Sequence, residues 1–299
     1  MTIGQPPPAP VGQRSGAAPR LGPGLYFIAT PIGAARDITL RALDILGSAE
    51  VLAAEDTRTL RHLMEIQGIP LAGRPLVPYH DHNGEAARPR LLAALKDGKS
   101  VVYASEAGTP LIADPGYQLA RAAIAENLPV IAAPGASAVL CALGVAGLPT
   151  DRFLFAGFLP NTTSARCRSL TDLHAVPATL VFYESPKRLA RSLSDMAKVL
   201  GQTRQAAVCR ELTKRFEETT RDTLGALAEV FAKRDVKGEI VVVVDRAGPI
   251  PQDAAGLDEA LLTEMKVSSL KDAVGAVARR LGLARRDVYQ RALALGGTE

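Results

Sequence analysis

The feature that most constrains this chain is a rhythm between Leu25 and Val145. Five apolar runs, LYFIATP, VLAAE, LVPYH, SVVYAS and PVIAAP, alternate there with stretches that read as helical. The runs are rich in β-branched and aromatic residues and nearly continuous. Strands of that kind are covered on both faces, as in a parallel sheet. Between them, Asp37–Leu46 reads as a helix, with Asp37 as the cap, Leu40, Leu43 and Leu46 at helical spacing, and Gly47 as the stop. Gly98 closes a second helix over Glu85–Asp97, where Pro89 predicts a late start or a kink. This repetition predicts a doubly wound α/β domain over residues 24–149.

After Leu148-Pro149-Thr150 the rhythm changes. The strand candidates FLFAGF, TLVFYES, QAAVCREL, EETTRDT and GEIVVVVDR follow, with helices near Lys187–Leu200 and Leu224–Phe231. Some gaps between the last three strands are too short for a crossover, which predicts antiparallel pairing and a mixed sheet. Residues 150–247 thus read as a second α/β domain, 248–256 (GPIPQDAAG) as a linker, and 257–299 as a helical appendage. In the appendage Leu270, Ala273, Val274, Val277 and Leu281 form one stripe. Gly282-Leu283-Ala284 turns the chain, and Val288, Tyr289, Ala292 and Leu293 face inward from a second helix, a helix–turn–helix pair. Between Ser268 and Thr298 six cations face two acids, a net +4 that equals the charge of the whole 299-residue chain. That concentration could meet phosphates, or be a solvated helix face.

Several classes are disfavoured. Residues 1–23 read as a disordered Pro-rich tail, without the apolar core of a signal peptide. Cys141, Cys167 and Cys209 form no C-x-x-C and read as buried free thiols in a reducing cytosol. The uncharged stretch between Glu126 and Asp151 could span a bilayer by length, but Pro134-Gly135 cuts it, so a buried strand and helix explain it better. His80-Asp81-His82 lacks a third ligand and reads as a polar loop or a substrate contact; no metal is expected. No G-x-G-x-x-G follows the first strand, and no P-loop or G-x-S-x-G elbow occurs.

What remains is a set of turn-rich strand ends: Ile32-Gly33, Asp56-Thr57-Arg58, the Ser105–Gly116 run SEAGTPLIADPG, and Gly135-Ala136-Ser137. In an open α/β sheet, ligands bind beyond the carboxyl ends of the strands. Gly108, Gly116 and Gly135 let a ligand approach the backbone, and Ser137 can cap the next helix. Glu55, Asp56, Glu106 and Asp114 on the rim suit hydroxyls, amines or a cation better than a polyphosphate. Farther on, Glu184 and Glu211 each end a strand, and Lys187 and Lys214 each follow by three residues. Both pairs are open to two readings, structural salt bridge or cleft residues.

In this order, LYFIATPIG, AEDTR, HDHN, SEAGTPLIADPG, PGASA, GLPTDRFLFAGFLP, FYESPKRL, CRELTKRFEE and KGEIVVVV closely resemble the bacterial small-subunit ribosomal RNA methyltransferase I family. The resemblance runs from about Leu25 to Leu295. It implies two α/β domains of tetrapyrrole methylase type with S-adenosylmethionine between them, a helical appendage, a cytoplasmic homodimer, and 2′-O-methylation of cytidine-1402 in the 16S rRNA of the 30S subunit. By motif position, the cofactor residues would be Pro31, Ile32, Gly33, Ser105, Ala107, Gly108, Thr109, Pro110, Pro134, Gly135, Ser137, Tyr183 and Gly238. Candidates for a base or hydroxyl-orienting group are Glu106, Glu184 and Glu211, with Lys214 as a polariser. Arg58, Lys187 and Arg188 would hold phosphates beside the target nucleotide, and Arg279, Arg285, Arg286 and Arg291 would contact RNA from the appendage. Two departures stand out: Ala34-Ala35 where the family has Asn-Leu, and Glu106 where it has Asp. Two alternatives share the fold, a methylase of a tetrapyrrole precursor and a non-catalytic RNA-binding factor.

Overall fold

Five strands, β1 (Gly24–Ile28), β2 (Val51–Ala54), β3 (Leu76–Pro78), β4 (Ser100–Ala104) and β5 (Val130–Ala133), form a wholly parallel sheet in the order β3-β2-β4-β1-β5. The computed structural model describes residues 20–112, 116–247, 254–281, 283 and 285–296. Residues 1–19 of the tail, Asp114, and residues 248–253 of the linker lie outside the described residues. Both faces of the three central strands, β1, β2 and β4, are covered, whereas the edge strands β3 and β5 are only partly buried, β5 against the expectation of a buried strand. Tyr26 and Ile28 pack with α1 (Leu40–Ser48) and α2 (Thr57–Ile66), while Leu25 and Phe27 pack with α3 (Gly84–Lys96) and α4 (Tyr117–Ala125). That two-sided burial is the physical reason for runs that are apolar at every position. The uncharged stretch forms β5 and then α5 (Ala138–Ala146), and among the described residues no helix is long and apolar enough to cross a membrane.

Two helices differ from expectation at their limits. Residues Ala35–Asp37 form a 3-10 turn, and the cap of α1 is Thr39, whose Oγ1 accepts from Ala42 N at 3.2 Å. Gly47 stays inside the helix rather than ending it. α3 starts at Gly84 and carries Pro89 within it.

The chain divides at Ala138/Val139 into two units. The second holds a mixed sheet of β6 (Phe153–Phe158), β7 (Thr179–Glu184), β8 (Gln205–Arg210), β9 (Glu218–Thr223) and β10 (Ile240–Val244), ordered β6-β7-β10-β8-β9. Only β6 and β7 run parallel; the last three pairings are antiparallel. Leu180, Phe182 and Val242 pack there with α7 (Leu189–Leu200) and α8 (Leu224–Ala232). The β6–β7 crossover is α6 (Thr163–Leu173), which has no apolar stripe to betray it. It is anchored instead by Arg166, 3% exposed, whose guanidinium pairs with Asp195 at 2.6 Å and donates to the Pro160 and Asn161 carbonyls.

Among the described residues the appendage contains the helix pair α10 (Leu270–Leu281) and α11 (Arg285–Gly296), with a further helix, α9 (Ala254–Met265), before them. α9 takes in the last three residues of the segment read as a linker. Leu261, Val274, Val277, Val288 and Ala292 close its core. Tyr289 and Leu293, expected to face inward, are 43% and 44% exposed. Val288, Arg291 and Ala292 supply the face that meets α9 and α10, so Tyr289 and Leu293 are rotated outward.

Candidate functional site

Because β4, β1 and β5 are neighbours, the loops that leave them lie side by side. Hydrogen bonds make the three loops one body. Thr30, beyond β1, exchanges backbone bonds with Gly108 in both directions at 3.0 Å. Its Oγ1 donates to the Ser105 carbonyl at 3.2 Å. Ser105 Oγ donates to the Gly108 carbonyl at 2.6 Å, and Thr109 Oγ1 to the Ala136 carbonyl at 2.9 Å. Gly108 has φ +80°, and a Cβ there would lie 3.2 Å from Ile32. A Cβ on Gly135 would sit 2.7 Å from that of Ala29, too close for the loop to stay where it is. Pro31 and Gly33 belong to the first of these loops, Ala107 and Pro110 to the second, and Pro134 to the third, while Ser137 directly precedes α5. Thr30, the residue that ties the set together, gives no signal of its own in the sequence, where it reads as the end of a strand.

Beside these loops, Asp56 caps α2, accepting from Arg58 N at 2.7 Å and Thr59 N at 3.3 Å. Arg58 Nη2 pairs with its other oxygen at 2.9 Å, and this hydrogen bonding brings the Asp56 carboxyl down to about 2. The Arg58 pKa rises for the same reason. Glu55 Oε2 accepts from the Glu106 backbone N–H at 3.2 Å, tying β2 to the SEAGTP loop. The Glu106 side chain is exposed and forms no hydrogen bond or ion pair among the described residues.

In the second unit the carboxylates are differently placed. Glu184, 3% exposed, accepts from Ser185 N at 2.8 Å and from Ser192 Oγ, and pairs with Arg188 Nε at 3.2 Å. Its partner is therefore Arg188 and not Lys187, whose side chain is exposed. Arg188 also donates to the Leu159 carbonyl and to Asn161 Oδ1, at 2.6 Å for the latter. Both members hold α7 to the loop before α6. Both side chains are thus engaged within the protein, as buried charges require.

Glu211 and Lys214 do pair, at 2.9 Å, and Glu239 joins them with Oε2 2.7 Å from Lys214 Nζ. Glu211 Oε1 also accepts from Glu239 N at 3.0 Å, and the Lys214 bond together with this one lowers the Glu211 pKa. Burial pulls Lys214 down, but its hydrogen bonds to Glu239 and Glu211 outweigh that and leave it raised, a permanent cation at neutral pH. Gly238, φ +94°, is needed because a Cβ would lie 2.4 Å from Glu211 Cδ. Glu211 itself holds φ +51°. Sequence reasoning missed Glu239, whose only signal was its place after Gly238. Tyr183 packs edge-on against Phe155 and Phe158, and burial raises its pKa.

The appendage arginines sort into two classes. Arg291 forms a bidentate pair with Asp258 at 2.6 and 2.5 Å, joining α11 to α9, and Arg285 reaches the Lys271 carbonyl at 3.5 Å. Arg279, Arg280 and Arg286 are exposed, and no protein partner holds them among the described residues. Among the described residues no group of three or more His, Cys, Asp or Glu could hold a metal ion.

Comparison with known proteins matches this architecture. The family model described as "Tetrapyrrole (Corrin/Porphyrin) Methylases" matches residues 24–228, and one described as "RsmI C-terminal HTH domain" matches residues 249–296. The "Ribosomal RNA small subunit methyltransferase I" of Mesorhizobium japonicum is 47% identical over 96% of this chain and 97% of its own. That of Escherichia coli O157:H7 is 40% identical over 90% of this chain and 94% of its own. Two solved structures share the fold. A cobalt precorrin-4 methyltransferase has a TM-score of 0.57 at 18% identity, over 74% of this chain and 94% of its own. The uroporphyrin-III C-methyltransferase of Thermus thermophilus, complexed with S-adenyl homocysteine, has 0.52 at 20%, over 75% and 98%. The helical module, the paired sheets and the relatives covered nearly end to end agree: the chain belongs to the ribosomal RNA small subunit methyltransferase I family, S-adenosylmethionine-dependent enzymes on the tetrapyrrole methylase fold.

Proposed function

We propose that this chain methylates the ribose 2′-hydroxyl of cytidine-1402 in 16S rRNA, on the 30S subunit, as a cytoplasmic homodimer. The observation that carries the reading is the fused body of three glycine-bearing loops at the ends of β1, β4 and β5. Its chemistry fits the cofactor. Gly108 and Gly135 keep the backbone open, the loops present neutral groups, and the free Glu106 carboxylate suits hydroxyls or an amine. Ile32, Ser105 and Thr109 would position it. When bound, S-adenosylmethionine supplies an electrophilic methyl group on sulfur for in-line transfer to oxygen.

The protein's own residues then have to orient. Fixing the reactants can lower the barrier by about 7–11 kcal/mol, and a base adds roughly a hundredfold or more. Positioning therefore contributes more than proton removal. Glu184 is committed to Arg188 and Ser192, and Glu211 has a lowered pKa that makes it a weaker base. Of the three candidates, Glu106 is the carboxylate left free to orient a hydroxyl. Arg58, Lys187, Arg279 and Arg286 would meet phosphates. Exposed Phe153, Leu154 and Phe158 on the edge strand β6 support a second copy as partner. The Cys209 thiol, pushed up to about 11 by burial, is an inert free thiol that suits a reducing compartment.

Labelled cofactor supplied in parallel with 30S subunits, naked rRNA and a tetrapyrrole precursor tests the reading. Label on the ribose of cytidine-1402 is expected. Label on the tetrapyrrole alone, or none on any substrate, would overturn it.

A further inference from the structure

The turn His80-Asp81-His82-Asn83 follows β3 at the carboxyl edge of the parallel sheet, and it is built more firmly than a connection requires. Asn83 Oδ1 accepts from His80 N at 2.8 Å, and Asn83 Nδ2 donates to the Pro78 carbonyl at 3.0 Å. The His80 carbonyl accepts from Asn83 N at 3.1 Å and Gly84 N at 2.8 Å. Tyr79, fully buried beside the turn, packs so closely on Gly84 that a Cβ there would lie 3.3 Å from its ring. This frame presents three polar side chains, His80 half-buried and Asp81 and His82 exposed to solvent. His80 Nδ1 is buried without a partner. Asp81 and His82 form no hydrogen bond or ion pair among the described residues, and the two imidazoles meet edge-on at 6.1 Å. A buried polar atom left unbonded needs an explanation, and a ligand that bonds it is one.

The location says what kind of ligand. β3 is two strands from β4, so the turn lies about 10 Å across the edge from the SEAGTP loop. Glu55, between them, bridges to Glu106 N. The side chains on this half are Glu55, Asp56 with its ion-paired and exposed Arg58, and Asp81, together with the His80 and His82 imidazoles, a set rich in acceptors and donors. They match the edge of cytosine, whose exocyclic amine donates to a carboxylate and whose O2 and N3 accept from an imidazole N–H.

We propose that the His80–Asn83 turn reads the base of the target nucleotide, Asp81 accepting from the cytosine amine and His80 donating to its acceptor edge. This rests on the proposed function above and adds the residues that select the base. The test uses the full chain and 30S subunits carrying C or U at the target position, with kcat and KM measured separately. Cofactor affinity and Tm serve as folding controls. Asp81→Asn presents a donor that suits uracil O4, so the C-over-U preference is expected to fall about tenfold. That fall should come through KM for the C substrate, with cofactor affinity unchanged. His80→Gln is expected to raise KM on the C substrate by a similar factor. Wild-type KM and an unchanged C-over-U ratio in both variants would overturn the base-reading role while leaving the methyl transfer intact. Wild-type protein that binds cofactor yet methylates neither subunit would overturn the functional reading, and this inference with it.

Discussion

At the carboxyl edge of the parallel sheet, neutral hydrogen bonds among Thr30, Ser105, Gly108 and Thr109 join the loops, and the Glu106 carboxylate is left free. In the mixed sheet three glutamates are paired instead. Glu184, Glu211 and Glu218 are each bound by an arginine or lysine of their own unit. Both arrangements arise from acidic residues at or near strand ends. The difference teaches that an acid in a motif identifies a site only when its neighbours leave it unsatisfied. A carboxylate buried among charged partners is a clamp.

The comparison breaks most visibly at Glu184. Glu184→Ala is expected to destabilise the protein by about 3–5 kcal/mol, because Arg188 is left as an uncompensated partner. Thermal unfolding checks it. A variant with wild-type Tm and abolished turnover would return Glu184 to catalysis. Glu106→Ala should do the opposite, keeping Tm and losing cofactor affinity or turnover, as calorimetric titration and a rate assay would show.

Replacing Arg279, Arg280 and Arg286 together by Ala should leave the fold intact. It should flatten the dependence of log affinity for 30S on log salt by roughly 2, as for three lost phosphate contacts. Arg291→Ala should instead loosen the appendage and change the salt slope little, since Arg291 is engaged with Asp258. Equal slopes in the two variants would erase the distinction between free and structural arginines.

Gly135→Ala must push the third loop off Ala29, at a cost of about 1–3 kcal/mol in stability, and should weaken cofactor binding, both measurable on one sample. The smallest effect is expected at Glu218. Its hydrogen bonds to Arg234 and then Arg210 hold its carboxyl at about 2, below its ordinary 4.5. A depressed carboxyl stabilises the fold above the unfolded value and loses that contribution as pH falls towards the folded one. Glu218→Gln should therefore lower Tm above about pH 5, with the deficit vanishing between pH 4.5 and 2 in a pH-dependent melting series.

Much of this molecule is legible in its sequence. Continuous apolar runs meant strands buried on two faces, short gaps meant antiparallel pairing in the second sheet, and nine ordered motifs meant the family. Periodicity and spacing are local properties, so the sequence alone determined them. Contacts between distant positions were decided only by tertiary structure. The sequence offered Lys187 and Lys214 as equivalent partners three residues after a glutamate. The fold took Lys214 but passed over Lys187 for Arg188, which alone reaches both Glu184 and the Leu159 carbonyl. It hid α6 behind one buried ion pair, turned Tyr289 and Leu293 outward, and brought Thr30 to Gly108 across 78 residues. Which polar group remains unsatisfied depends on everything packed around it, and no window of sequence contains that.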